Sequence, residues 1–228
     1  LHTLFPYTTL FRSVMSDMKV VIISGGAPPS KELLTKEITK DTFLIGADSG
    51  ANCLYQYNIK PDLLVGDFDS IDEDILDYYK KNNFSTEIYP TEKDFTDTEI
   101  AVRKAIGMKP SEIVLLGCTG SRVDHMLGNI GMLKICLENS VNSFIKDENN
   151  VIMLTNDSTV LNGIIGEIFS VQSYGDEIIG LTIEGAKYPL HNYNLKIGES
   201  ITISNEFTCP QVKLKFKSGT LMILLSKD

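Results

Sequence analysis

The chain of 228 residues has no tryptophan and only four cysteines, Cys53, Cys118, Cys136 and Cys209. None of the four forms a CxxC pair, so the usual signatures of a structural zinc site or a thiol redox centre are missing. They read as reduced cytosolic thiols that serve as small apolar residues. Positive charge is scarce as well. Lys and Arg number 21 against 30 Asp and Glu, a formal net charge of −9. A broad nucleic-acid footprint needs a basic stripe, so no nucleic-acid partner is expected. No apolar run approaches the ~20 residues of a membrane span, so no membrane partner is expected either. GxxxxGKS, GxxxxGKT, GxGxxG, HExxH and GxSxG do not occur. This closes the P-loop route to a nucleotide and the usual dinucleotide, zincin and serine-hydrolase routes.

The first residues, "LHTLFPYTTLFRS", lack a basic n-region and are interrupted by Pro6, Thr8 and Thr9. They make a poor signal peptide. The stretch looks like the translation of a common sequencing-adapter oligonucleotide. Residues 1–17 are therefore expected to be a non-native leader, loosely attached, with the native start at Met15 or Met18.

From Lys19 onward strands and helices alternate. "KVVIISGG", "TFLIGAD", "DLLVGD", "STEIYP" and "SEIVLLG" read as strands, the first closed by Gly25 and Gly26. Between them lie helical patterns. Ser30 is a candidate N-cap, and Ser70 with Glu73 and Thr96 with Glu99 are candidate capping boxes. A last helix covers "VDHMLGNIGMLKICLEN". This alternation predicts βαβ units and a mainly parallel sheet with helices on both faces. After about Asn150 helical spacing stops. "EIFSVQSY", "EIIGLTIEG", "SITISNEF", "QVKLKFK" and "TLMILLS" read as strands of a smaller antiparallel β-sandwich. The expected division is an α/β domain over 18–145 and a β domain over 155–228.

In a parallel sheet, ligands bind beyond the carboxyl ends of the strands. That is where the acids fall. Asp48 ends the second strand, "GDFDS" puts Asp67 and Asp69 after the third, and "KDFTD" adds Lys93, Asp94 and Asp97 after the fourth. Closely spaced carboxylates repel unless a cation lies between them. Mg²⁺ takes oxygen ligands and is often shared between carboxylates and substrate phosphates. The pattern therefore reads as a Mg²⁺-nucleotide site, against the plainer alternative of solvated acids at helix N-termini. "GCTGSRVDH" supplies Gly117 and Gly120 for close backbone approach, and Arg122 to fork onto phosphate oxygens. It also carries Asp124, which opens a helix, and His125, catalytic or simply a helix residue. An aspartate-nucleophile phosphatase would also place D-x-D after a strand. Here that strand is the third of its domain, and no later GDxxxD follows.

"GADSGANCL", "PDLLVGDFDSID", "TEKDFTDTEIAV" and "LLGCTGSRVDHMLGNIGML" resemble, in order, the motifs of the thiamine pyrophosphokinase family. "GAKYPLHNYNLKIGESITISNEF" with "SGTLMILLS" resembles the family's thiamine-binding half. The resemblance spans about Val20 to Ser226. Ser49 stands where the family usually has a Gly in "ADGGA", and Ser121 where "GGRxDH" is usual. The resemblance implies pyrophosphoryl transfer from ATP to the hydroxyl of thiamine, in a cytoplasmic homodimer with shared active sites. It implies Asp67, Asp69 and Asp97 as Mg²⁺ ligands, and Asp69, Asp97 and Asp124 as the catalytic acids. Lys93, Thr96 and Arg122 would bind phosphate, and Asp48 would line the same cleft. Ser204 and Asn205, with Glu206 beside them, would reach thiamine at the partner subunit's acids. Without tryptophan, aromatic contacts to thiamine fall to Phe or Tyr. Two other readings use the same residues: a Mg²⁺-dependent phosphohydrolase and a non-catalytic thiamine or nucleotide sensor.

Overall fold

The computed structural model describes residues 18–227; the expected leader, 1–17, lies outside the described residues. Residue contacts divide the chain at Glu148 and Asn149 into an α/β unit and a β unit.

The α/β unit follows the order β1 (Lys19–Ile23), α1 (Lys31–Glu37), β2 (Thr42–Ala47), α2 (Gly50–Gln56), β3 (Leu63–Gly66), α3 (Glu73–Lys81) and β4 (Thr86–Ile88). It continues with α4 (Asp97–Gly107), β5 (Glu112–Leu116), α5 (Val123–Glu138) and β6 (Asn142–Lys146). The strands lie in the order β6-β5-β1-β2-β3-β4, and all five pairings are parallel. Val20 to Ile23 and Ile113 to Leu116 are wholly buried, so both faces of the central strands are covered. That explains their unbroken β-branched and leucine runs. On one face Val21, Ile23, Leu44, Val114 and Leu116 pack with Leu34 of α1 and with Cys53 and Leu54 of α2. Burying one such aliphatic side chain contributes about 1.5–3 kcal/mol.

The chain runs outward from β1 to β4 and then returns to the other side of β1 for β5 and β6. The order therefore reverses between β1 and β5, and the loops after these two strands diverge from a common crevice. Backbone bonds lace the two loops together. Ser24 N donates to Leu116 O at 2.8 Å, Gly26 N to Gly117 O at 2.8 Å, and Ala27 N to Thr119 O at 2.7 Å. Gly26 is required by this approach, since a Cβ there would lie 2.4 Å from Thr119 O. Gly117 is required twice over, by its left-handed φ of 64° and by a Cβ position 2.3 Å from Ser24 O.

Ser30 caps α1 as expected, its Oγ accepting from Leu33 N at 3.1 Å. Thr96 caps α4 by accepting from Glu99 N at 3.2 Å. The reciprocal half of that box is missing because Glu99 turns to Arg103 instead. The expected box of Ser70 and Glu73 does not form. Asp72 is the N-cap residue of α3 without a side-chain bond, and Ser70 Oγ donates to Asp69.

The β unit contains β7 (Asn150–Thr155), β8 (Thr159–Asn162), β9 (Ile168–Ser173), β10 (Ile178–Glu184), β11 (Leu190–Leu195), β12 (Asn205–Glu206), β13 (Gln211–Lys215) and β14 (Leu221–Ser226). They form two antiparallel layers, β12-β9-β14-β7 and β11-β10-β13-β8. Burial alternates along β9, β13 and β14, as it must when one face of each layer meets a shared core. Phe169 and Phe207 meet edge to face at 5.1 Å in that core. "SITISNEF" is not one strand: Asn205–Glu206 pairs with β9, Phe207 adds an isolated bridge to Ala186, and the residues before them turn, with Ser204 at φ 55°. β6, β7, β8 and β11 are strands that periodicity does not announce.

Candidate active site

A cleft of about 550 Å³ opens at the crevice between the β1 and β5 loops. Its walls include Gly25, Gly26, Gly117 and Gly120. Asp48, Thr96, Asp97, Arg122 and His125 also face it.

Three carboxylates converge at the strand ends. Asp48, Asp67 and Asp69 each present an oxygen within 4.8 Å of the others. The backbone places them there through two left-handed residues, Asp48 at φ 48° and Phe68 at φ 63°. Non-glycine residues adopt this conformation only where their surroundings impose it. The Phe68 ring is buried against Ala51, Leu64, Ile71, Ile75 and Tyr79, so the residue between the two acids is the loop's anchor. Asp67 Oδ1 accepts from Asp69 N at 3.2 Å, which closes the turn.

Lys93 Nζ reaches Asp67 Oδ2 at 2.8 Å and Asp97 Oδ1 at 3.1 Å. The second contact is an ion pair without hydrogen-bond geometry, and Oδ1 of Asp97 is otherwise unpartnered among the described residues. The hydrogen bond from Lys93 holds the Asp67 carboxyl below its ordinary range, against the effect of burial. For Lys93, burial pulls the other way, but the hydrogen bond to Asp67 and the ion pair with Asp97 prevail and its pKa is raised. The Asp48 carboxyl is pushed up, first by burial and then by the charges of Asp97, Asp67 and Asp69. Its Oδ1 is buried and has no hydrogen-bond partner among the described residues. A buried acceptor without a donor is costly and rare. A hard divalent cation would satisfy it and relieve the repulsion, so the donor set fits such an ion.

The expected ligand trio of Asp67, Asp69 and Asp97 thus differs in one member from the group the structure assembles. Asp48 stands in it, while Asp97 is held by Lys93. Asp94 is exposed and outside the group. Arg122 and Asp124 are exposed and bind each other, Nε to Oδ1 at 3.0 Å and Nη2 to Oδ2 at 2.6 Å. The fork from Arg122 holds the Asp124 carboxyl well below the usual range. Asp124 is not brought to the other acids.

Neither serine departure strains the backbone. Ser49 has φ −61°, and Ser121 is not among the left-handed residues. In the β unit, Ser204 is exposed, whereas Asn205 is buried and its amide is spent inside the fold. Its Oδ1 accepts from Tyr188 N and Glu206 N, and its Nδ2 donates to Tyr188 O.

Sequence reasoning passed over several residues that shape the cleft. Thr98 Oγ1 meets Ser24 Oγ at 2.9 Å, tying α4 to β1, and Cys118 Sγ lies 3.3 Å from the same hydroxyl. Asn129 Nδ2 donates to Cys118 O at 2.9 Å. Asn129 follows His125 by one helical turn, so the i, i+4 rule would have found it.

The fold and cleft define a class: an α/β protein with an acidic, glycine-walled cleft at the switch point of a parallel sheet. The comparisons narrow that class. Residues 34–145 match the family model described as thiamin pyrophosphokinase, catalytic domain. Residues 159–221 match the model for its vitamin B1 binding domain. A thiamine pyrophosphokinase of Bacillus subtilis is 32% identical over 216 residues, 92% of this chain and 100% of that protein. Thiamin pyrophosphokinase 1 of Caenorhabditis elegans is 29% identical over 71% of this chain and 68% of its own. The crystal structure of the Bacillus subtilis enzyme superposes with a TM-score of 0.85 at 30% identity, covering 92% of this chain and 99% of its own. That of Geobacillus thermodenitrificans gives 0.82 at 28% identity, with 92% and 98% covered. The chain belongs to the thiamine pyrophosphokinase family.

Proposed function

We infer that the chain is a thiamine diphosphokinase, transferring a pyrophosphoryl group from ATP to the thiamine hydroxyl and releasing AMP. The observation that carries this reading is the match of both halves to one family, with an unbroken set of acids at the switch-point cleft.

In the transfer, the thiamine hydroxyl attacks the β-phosphorus, the bond from that phosphorus to the α-phosphate oxygen breaks, and AMP departs. Such reactions depend chiefly on alignment and on neutralising phosphate charge. We assign Asp48, Asp67 and Asp69 to hold Mg²⁺. When bound, Mg²⁺ would screen the phosphate oxygens and make the β-phosphorus more electrophilic. Asp97 faces the same cleft at the head of α4, beside the Thr96 cap. Arg122 lines the cleft and Lys93 lies against Asp97 at its edge, and both cations suit phosphate oxygens. The glycine walls admit a nucleotide close to the backbone. Asp124 sets the Arg122 guanidinium through its two-point bond. We assign residues 18–145 to catalysis and 155–228 to thiamine.

The enzyme is proposed to work as a cytoplasmic homodimer with shared sites. The support is an apolar surface in the β unit. Ile201 and Ile203 precede Ser204 in sequence, Ile168 pairs with Glu206, Tyr188 is hydrogen-bonded to the Asn205 amide, and all four are more than a third exposed. A second copy of this chain is the occupant that would cover them.

A product assay tests the function. With ATP, Mg²⁺ and thiamine, AMP and thiamine diphosphate should appear in equal amounts, and both should vanish when thiamine or Mg²⁺ is omitted. ADP or orthophosphate released without thiamine would overturn the reading.

A further inference from the structure

The same carboxylate has two claimants. Asp67 belongs to the group able to hold a divalent ion, yet its Oδ2 carries the ammonium of Lys93 at 2.8 Å. That ammonium also sits 3.1 Å from Asp97 Oδ1. Lys93 is therefore the cation nearest the four acids Asp48, Asp67, Asp69 and Asp97, and one positive charge faces four negative ones. A divalent ion entering the group would meet the ammonium across a shared carboxylate, and like charges a few ångström apart repel strongly in a partly buried site. A nucleotide entering first would meet the acids with Lys93 already engaged by them. Each ligand alone faces a penalty that the other removes. Lys93 lies between β4 and α4, outside both elements, on a flexible four-carbon stem that can carry its charge elsewhere.

We propose that Lys93 is the resting counter-ion of the cleft and passes from Asp67 to the substrate phosphates as the divalent ion enters. Metal and nucleotide then bind as a coupled pair. The proposal rests on the diphosphokinase reading and adds to it a coupling between metal and nucleotide carried by one ion pair. By linkage, the metal tightens the nucleotide by the same factor as the nucleotide tightens the metal.

The test titrates Mn²⁺ into the full-length protein, followed by its paramagnetic resonance signal, with and without α,β-methylene-ATP, whose bridging carbon prevents transfer. Without nucleotide, Lys93→Gln should bind Mn²⁺ at least about tenfold more tightly than wild type, since the competing charge is gone. Lys93→Arg, which keeps the charge, should stay near wild type. The tightening of Mn²⁺ by the nucleotide should shrink in Lys93→Gln by a similar factor. Unchanged Mn²⁺ affinity in Lys93→Gln overturns the proposal. Tighter Mn²⁺ with the nucleotide effect intact also overturns it, because Lys93 would then only screen charge. A measurement on the wild type guards against a misfolded variant: the Lys93 ¹⁵Nζ resonance should move when Mg²⁺ alone is added, and a fixed resonance overturns the exchange. The underlying reading is checked separately, by the product assay on wild type.

Discussion

Two clusters of charge sit in the same α/β unit and obey opposite rules. In one, Glu37 at the end of α1 accepts from Lys19 at 2.5 Å and from Lys146 at 2.7 Å, and Lys19 also meets Glu112 at 3.2 Å. Two acids face two lysines, and every charge has a partner inside the protein. Burial alone would raise the Glu37 carboxyl, but the two lysines outweigh it and the group lies below its ordinary range. In the other cluster, among the described residues, four acids face one lysine, Asp48 is pushed up, and a buried oxygen of it lacks a donor. The balanced cluster is complete without a ligand. The unbalanced one holds electrostatic stress that a cationic ligand would relieve, and such stress gathers at functional sites.

The largest effect should come from emptying the unbalanced side. Asp69→Asn and Asp67→Asn should each cut turnover at least about 10³-fold, the scale of several kcal/mol of charge stabilisation by a metal. The melting temperature of Asp69→Asn should hold or rise, because a like charge is removed, whereas Asp67→Asn should lose some stability with its Lys93 ion pair. Steady-state rates beside thermal melts check both, and wild-type turnover in either variant would contradict the assignment. Asp48 adds a pH signature. Its folded pKa is raised, so its contribution to stability is full below the ordinary carboxylate range and is lost as pH rises through the raised value. Melts of the Mg²⁺-free protein should decline over that window, and Asp48→Asn should flatten the decline.

Breaking the balanced side should cost stability instead. Glu37→Ala strands Lys19 and Lys146 and should destabilise by about 3 kcal/mol, measured by urea unfolding, while the turnover of the folded fraction stays near wild type. Here the sign is reversed. The folded pKa of Glu37 is lowered, so its contribution is present above the ordinary glutamate value and is lost as pH falls through the depressed one. Glu37→Gln should therefore reduce the acid sensitivity of the native protein. Asn205 is a neutral case of the same completeness, with all three of its bonds internal. Asn205→Ala should cost about 2 kcal/mol by leaving the Tyr188 backbone groups unpaired. An equal loss of thiamine affinity with no loss of stability would instead make Asn205 a direct contact.

The contrast also explains what could be read in advance. The cleft acids follow strands directly, so position along the chain announces them, and the parallel-sheet rule says where they go. Thr96 and Ser30 are legible because a cap is a contact over three residues. The Glu37 cluster is not legible, because it joins residues 19, 37, 112 and 146, which only the fold brings together. The sequence puts Asp48 in the cleft but not with Asp67 and Asp69, since a left-handed φ at Asp48 and Phe68 decides which way the carboxylates turn. The polar strand β11 escapes notice because its burial does not alternate, and Ser70 was expected to cap a helix that begins later.

The smallest effect belongs to Ser49, and it tests whether the cleft wall is as tolerant as its backbone angles allow. At φ −61° a serine is unstrained, so Ser49→Gly should leave turnover within about threefold and cost at most about 1 kcal/mol through added backbone freedom. The serine nonetheless fills a place. A Cβ added to Gly25 would lie 2.1 Å from Ser49 Oγ, while the next atom of Ser49 is 3.4 Å away. Gly25→Ala should therefore cost about 1 kcal/mol in an otherwise wild-type chain, as the serine hydroxyl is forced to another rotamer. In the Ser49→Gly background that cost should largely disappear, because the obstructing atom is gone. Urea unfolding of the four proteins gives the coupling directly. Additive effects would mean that Gly25 is constrained by something other than Ser49, and that the space above it belongs to the ligand.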